Sequence, residues 1–322
     1  MSENYERIAG EFNGKDIVSM NQFDLSDIEE LVVEAEDMAE MVKDQGRDDI
    51  LSDLVIANTF FEASTRTFFS MDAAAKRLGA TTIPMQGIED YSSVSKGETF
   101  EDTIRTIARY SDNIVLRHPV EGSAGKAASV SDVPIINAGD GKGEHPTQAL
   151  LDVFTIEDEL EQVDGLTVTM VGDLKNGRTV HSLAKLLGKH SDMRINYVSP
   201  PELALPSSII DENLGYGVSQ FETTDLDEVI RDTDVLYVTR IQKERFESVE
   251  EYEKHKGAYV VDADVMKKLG RDAIVMHPLP RTDEINPEID SDPRSAYFRQ
   301  VENGMYMRMA IFALINGRSI SH

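Results

Sequence analysis

Ser64, Thr65, Arg66 and Thr67 set three hydroxyls and one guanidinium side by side within FFEASTRTFF, Phe60 to Phe69. The run falls where an apolar, β-prone segment, LVIANTFF (Leu54 to Phe61), gives way to TFFSMDAAAKRLG (Thr67 to Gly79). In the latter, Phe68, Met71, Ala75 and Leu78 share one helical stripe, and Gly79 ends it. Ser64 or Thr65 is then the natural N-cap. The first turn of a helix leaves backbone N–H groups unpaired at its electropositive end, which suits an anion. Arg66 adds a forked donor matched to phosphate. An ordinary cap beside a surface arginine fits the same residues, because hydroxyl caps are common.

Similar polar clusters follow other apolar runs. NIVL is followed by Arg117, His118 and Pro119; PIINAG by GDGKGEHPTQ, with His145 and Gln148. VTMVGD leads into Asp173 to Arg178, VLYV into Thr239 to Arg245, and IVM into His277 to Arg281. In parallel sheets, ligands bind outside the carboxyl ends of the strands. Six clusters rich in basic and amide side chains at such ends, in an acidic chain, imply small anionic ligands and two centres, one per domain.

The elements that must position these residues alternate along the chain. A helix is expected over DLSDIEELVVEAEDMAEMVKDQG, then LVIANTFF as strand, the Thr67 helix, the strand ATTIPM and a polar loop from Gln86 to Glu98. TFEDTIRTIARY reads as helix, NIVLRHP as strand, a short helix lies near Glu121 to Val130, and VPIINAG is a strand. QALLDVFTIEDEL then begins a helix. LTVTMVGD, RINYVSP, VSQFETT, VLYVTR and AIVMHPLP read as strands of a second series. TVHSLAKLLGKH, DLDEVIRDT and SVEEYEKH read as its helices, and AYFRQVENGMYMRMAIFALINGR closes the chain with a long helix weakened by Gly304. This is an α/β pattern of two doubly wound parallel-sheet domains, with a C-terminal helix crossing back to the first. The expected boundaries are 1–147 plus about 303–322 for the first domain and 148–302 for the second.

The 322 residues suit two domains of about 150 each. Cysteine is absent, which excludes disulfides and thiolate metal sites and favours the cytoplasm. No apolar run approaches the ~20 residues of a membrane span, and the N-terminus lacks the marks of a signal peptide. Asp and Glu number 59 against 32 Lys and Arg, a formal net charge of −27. Nucleic acid and anionic membranes are therefore disfavoured as partners. The acids are spread through DIEELVVEAEDMAE, TIEDELEQVD and SVEEYEKH as a solvated shell that salt must screen, so a salt-rich cytosol is expected.

Several chemistries lack their motifs. GDLKNGR does not have G-x-G-x-x-G spacing, and no phosphate-binding P-loop occurs. Ser64 has no nucleophile elbow around it. His118, His145 and His277 could be imagined as a metal triad, but each is followed by Pro and lacks paired carboxylate spacing. Orientation of a polar substrate suits them better, and no metal is expected.

FEASTRTFF, SVSKGET, VLRHP, GEHPTQALLD, GDLKNGRTVHSL, TRIQKERF and MHPLPRTDEI occur in the order seen in aspartate carbamoyltransferase catalytic chains, which this chain resembles from about Asn21 to its terminal helix. STRT with HPTQ is shared among transcarbamylases; TRIQKER with HPLPR points to the aspartate members. The resemblance implies carbamoyl transfer from carbamoyl phosphate to L-aspartate in pyrimidine synthesis, without a cofactor. It implies that Ser64, Thr65, Arg66 and Thr67 hold the phosphate, and that Arg117, His145 and Gln148 bind the carbamoyl group. Arg117, His145 and Thr67 would polarise its carbonyl. Arg178, Arg240 and Gln242 would hold the aspartate carboxylates, with carbonyls from Pro278 and Leu279. Glu62 matches the residue that pairs with Arg178 and Arg245 on domain closure. Read alone, YSSVSKGE is a solvated loop; in the family it enters a neighbouring subunit's site, and Ser92 and Lys96 match its functional positions. Ser95 stands where some members carry a second lysine. A homotrimer with shared active sites is implied, with a regulatory chain as an optional partner.

Overall fold

In the computed structural model, which describes residues 5–87, 97–241, 248, 250, 252–253 and 257–320, the apolar runs form two separate sheets, every strand pair parallel. One unit comprises residues 1–154 and 302–322, the other 155–301. Both are α/β and doubly wound, as the alternation of patterns predicts.

In the first unit, β1 (Val55–Phe60), β2 (Thr81–Gln86), β3 (Asn113–His118) and β4 (Ile135–Asp140) lie in the order β2-β1-β3-β4. β1 and β3 are buried along nearly their whole length because helices cover both faces of the sheet. On one face, Ala57, Ile114, Leu116 and Ile135 pack with Ile104, Ala108, Ala124 and Ala127 of the connecting helices. Phe60 meets Phe68 edge-on at 5.3 Å between ring centroids, beside buried Met71, Ala74 and Ala75 of the Thr65–Arg77 helix. The chain runs from β1 to β2, then returns past β1 to lay down β3. The direction of sheet growth therefore reverses between β1 and β3, which opens a crevice at their carboxyl ends.

The second unit holds β5 (Thr167–Val171), β6 (Arg194–Val198), β7 (Ser219–Thr223), β8 (Val235–Val238) and β9 (Ile274–Met276), in the order β7-β6-β5-β8-β9. Its reversal lies between β5 and β8. Val171, Val198, Leu236, Val238 and Val275 make one core with Ile230, Met266, Leu269 and Ile285. Gly172, just past β5, has φ +120°, and a Cβ there would stand 2.1 Å from the Thr239 carbonyl oxygen. Glycine is what lets the ends of β5 and β8 approach this closely.

One expected helix is not α-helical. DLDEVIRDT forms two 3-10 turns, Leu226–Glu228 and Ile230–Asp232. Asp225 caps the first through the Asp227 N–H at 2.9 Å, and Thr233 Oγ1 donates to the Val229 carbonyl at 2.9 Å. Short Asp and Thr side chains thus compete for the backbone that a continuous helix needs. Two helices without strong periodicity, Ser207–Gly215 and Ala263–Lys268, were not expected. Half of SVEEYEKH lies outside the described residues. Among the described residues no helix is long and apolar enough to cross a membrane.

Candidate active site

Three strand ends converge on the first crevice. β1 and β3 are in register with Phe60 beside Arg117, and β3 meets β4 with His118 beside Asp140. The segments that leave these strands therefore carry Ser64 to Thr67, Arg117 and His145 to Gln148 along one rim.

Ser64 is the N-cap of the Thr65–Arg77 helix, yet its side chain makes no capping bond to the helix backbone. Its Oγ donates instead to Thr67 Oγ1 at 3.2 Å. Thr67 is buried, whereas Thr65 and Arg66 are exposed. Arg117 is buried, with Nη1 donating to the Ala138 carbonyl at 3.1 Å and Nη2 at 3.1 Å from Glu62 Oε2. Arg117, on the same unit, is thus an ion partner of Glu62; the resemblance assigns Glu62 Arg178 and Arg245 on domain closure.

The GDGKGEHPTQ segment is a braced turn. Asp140 accepts from the Gly122 and Glu144 N–H groups, each at 3.0 Å. Burial, the dominant influence, pushes the Asp140 carboxyl above its ordinary value against those two bonds. Glu144 anchors the turn to the N-terminal segment through Met20 N–H at 2.8 Å and Ser19 Oγ at 3.0 Å. Gly141 has φ +50°, and a Cβ there would meet the Pro119 carbonyl at 2.7 Å. The turn delivers His145, 3% exposed, at the start of the Pro146–Leu160 helix. Gln148 follows one turn later, also buried.

In the second unit, β5 and β8 end side by side, with Val171 beside Val238, and Tyr237 of β8 lies beside Met276 of β9. Asp173 is fully buried and accepts from Asn176 N–H at 3.0 Å. That turn places Arg178, half-buried, as the first residue of the Arg178–Leu187 helix. Arg240 is half-buried two residues beyond β8. After β9, the Leu279 N–H donates to His277 Nδ1 at 2.7 Å, and His277 Nε2 lies 2.8 Å from Glu284 Oε1. This buried pair holds the turn in which Leu279 adopts φ +50°. Arg281 of the same HPLPR run is not free for a ligand: its Nη2 donates to Asp290 Oδ2 at 2.6 Å, and Asp290 is held down at about 2 by Arg281.

Ser92, Lys96, Gln242 and Arg245 lie outside the described residues. Among those described, no group of three or more His, Cys, Asp or Glu could hold a metal ion. Three supporting residues, Asp152 beneath Gln148, Glu284 beneath His277 and Asp173 before Arg178, stand within the quoted motifs, but the motifs assign them no role. A carboxylate within an apolar helix face, as in ALLDVF, is the one sequence signal that could have marked the first.

Residues 15–158 match the family described as aspartate/ornithine carbamoyltransferase, carbamoyl-P binding domain. Residues 164–315 match aspartate/ornithine carbamoyltransferase, Asp/Orn binding domain. The chain is 51% identical over 307 residues to the multifunctional protein pyr1-3 of Dictyostelium discoideum, covering 95% of this chain and 14% of that protein. It is 47% identical to the aspartate carbamoyltransferase catalytic subunit of Thermococcus gammatolerans, over 95% of this chain and 99% of that one. A crystal structure of aspartate transcarbamoylase from Trypanosoma cruzi, in complex with carbamoyl phosphate and aspartate, superposes with a TM-score of 0.89. The two are 44% identical, over 96% of this chain and 98% of that one. With both halves matched in order, and the two crevices formed by the motif-bearing strand ends, the chain belongs to the aspartate/ornithine carbamoyltransferase family.

Proposed function

We propose that this chain transfers the carbamoyl group of carbamoyl phosphate to the α-amino group of L-aspartate, giving N-carbamoyl-L-aspartate and phosphate. The observation that carries this reading is the first crevice: an uncapped helix end bearing Arg66 stands on the same rim as buried Arg117 and His145. In this reading the Thr65 helix end, Ser64 and Arg66 hold the phosphate, and Gln148 meets the carbamoyl group. Thr67, Arg117 and His145 donate to the carbonyl oxygen as negative charge builds on it. The amine nitrogen forms its bond to the carbamoyl carbon, the carbon–oxygen bond to phosphate breaks, and the departing phosphate takes the electron pair and the amine proton. Positioning and fixed positive charge supply most of the acceleration.

Arg178, Arg240 and Gln242 hold the two aspartate carboxylates, and the Pro278 and Leu279 carbonyls face the amine. The carbamoyl phosphate domain is 1–147 with about 303–322, and the aspartate domain is 148–302. Ser92 and Lys96 serve a neighbouring copy's site in a homotrimer, so an isolated monomer is nearly inactive. Glu62 pairs with Arg178 and Arg245 on domain closure. The enzyme works in the cytoplasm, and its charge of −27 suits a salt-rich one.

The test is carbamoyl transfer with aspartate and ornithine offered separately, at low and molar potassium chloride. Turnover of aspartate alone, rising with salt alongside the melting temperature, is the expected result. Turnover of ornithine would overturn the reading of the second unit. No turnover of either amine by a folded trimer would leave a scaffold. A melting temperature flat or falling with salt would remove the halophilic reading alone.

A further inference from the structure

A chain of polar groups, buried at Gln148, Asp152 and Arg308 and half-buried at Ser70, runs behind the first crevice. Gln148 Nε2 donates to Asp152 Oδ1 at 2.9 Å, one helical turn on. Asp152 is fully buried and faces the electrostatic field of Arg308, from the terminal helix, which is 4% exposed. Arg308 Nη1 in turn donates to Ser70 Oγ at 2.7 Å and to the Gly304 carbonyl at 3.2 Å. Ser70 lies in the Thr65–Arg77 helix, less than one turn beyond Thr67. Burial pushes the guanidinium down to about 10, against the pull of Asp152, so it remains a cation at neutral pH. Gly304 makes room for it: a Cβ there would meet Arg308 Nη1 at 2.9 Å and Leu151 Cδ2 at 3.0 Å.

The chemistry of this chain has a direction. A carboxylate only accepts hydrogen bonds, so the edge of the Gln148 carboxamide that meets Asp152 must be its NH2. The opposite edge is then the oxygen, which only accepts. A carbamoyl group ends in an NH2 that donates; an acetyl group ends in a methyl that does not.

We propose, resting on the carbamoyl-transfer reading above, that Asp152 and Arg308 are positioning residues which fix the orientation of the Gln148 carboxamide. Its oxygen then faces the substrate, and the pair sets the preference for a carbamoyl phosphate over an acyl phosphate. Arg308 supplies the buried countercharge without which Asp152 could not serve as a fixed acceptor. Through Ser70 it also ties this orientation to the helix proposed to hold the phosphate.

The test compares three constants in the intact enzyme: KM for carbamoyl phosphate at saturating aspartate, and competitive Ki values for acetyl phosphate and inorganic phosphate. In Asp152→Asn, residue 152 offers an NH2 as well as an oxygen, and the Arg308 cation competes for the oxygen, so the Gln148 carboxamide loses its fixed orientation. The ratio of the acetyl phosphate Ki to the carbamoyl phosphate KM should fall about 10-fold, the scale of one hydrogen bond. The phosphate Ki should stay within about 2-fold, because the helix end is untouched. A purely structural role would weaken all three constants together, and that result overturns the proposal, as does an unchanged ratio. If D152N does not fold, the double variant Asp152→Asn with Arg308→Met leaves no unpaired buried charge and is expected to show the same loss of ratio. A wild-type protein that binds phosphate but transfers no carbamoyl group would overturn the functional reading itself, before any variant is made.

Discussion

In the first unit, the groups assigned to one anion come from four consecutive residues, Ser64 to Thr67, at a single helix end. In the second, the candidate binding residues are single side chains from separate loops: Arg178 after β5, Arg240 after β8, and the turn at Pro278 and Leu279 after β9. The first set, and Arg178 and Arg240 of the second, stand where the order of strands reverses; the Pro278 and Leu279 turn stands one strand further out, after β9. The difference follows from the ligands proposed for them. A phosphate presents several equivalent oxygens to one point, which a helix end and one forked cation can meet. An amino acid with two separated carboxylates needs donors at two places, so its site must be assembled from distant segments. The bracing differs accordingly. Asp140 and Glu144 tie the first unit's turn to neighbouring backbone N–H groups, whereas the second unit relies on the buried His277–Glu284 pair.

The sharpest way to break this comparison is Arg66→Ala. It should lower kcat at least about 100-fold, the scale of losing one preorganised transition-state donor. Near-normal turnover in steady-state assays would refute the helix end as the phosphate site. Next come Arg178→Ala and Arg240→Ala. Each should raise the KM for aspartate about 10- to 100-fold, the range of a charge-assisted hydrogen bond, and leave phosphate inhibition unchanged. Equal damage to both substrates would erase the distinction between the units.

The bracing of the second unit is probed by Glu284→Gln, expected to cost about 1.5 kcal/mol at neutral pH in urea unfolding. Burial is the largest influence on Glu284 and pushes it up. The hydrogen bond and electrostatic pull of His277, with the backbone and Thr282 bonds, together outweigh burial and hold it below its ordinary 4.5. A carboxylate lowered on folding contributes stability that is complete above 4.5 and lost as pH falls through the folded value. The gap between variant and wild type should therefore close in acid; a gap independent of pH would assign the loss to packing. The smallest effect is expected from Gly304→Ala. In an open helix this change gains about 1 kcal/mol. Here the new methyl crowds Arg308 and Leu151, so the melting temperature should fall; a rise would mean the guanidinium yields freely.

Much of this was legible in the sequence because it is local. The strand LVIANTFF and the helix after it are set by apolar spacing, with Ser64 at the N-cap position though without a capping bond, and the structure places them within two residues of expectation, at Val55–Phe60 and Thr65–Arg77. DLDEVIRDT misled because its pattern is helical while its Asp and Thr side chains bind the backbone instead. The supporting carboxylates left almost no trace, since a buried Asp152 or Glu284 has meaning only once its partner is known.

By itself, the sequence determined the alternating α/β order, the acidic surface, and the runs of hydroxyl, guanidinium, amide and imidazole groups at strand ends. Each depends on neighbours a few residues away. Tertiary structure alone decided which strand ends stand side by side, that Glu62 meets Arg117, and that buried Asp152 and Arg308 and half-buried Ser70 form one line behind Gln148. The physical reason is separation along the chain. Arg308 and Ser70 lie 238 residues apart, and only folding of the terminal helix onto the first unit brings a cation to the buried carboxylate.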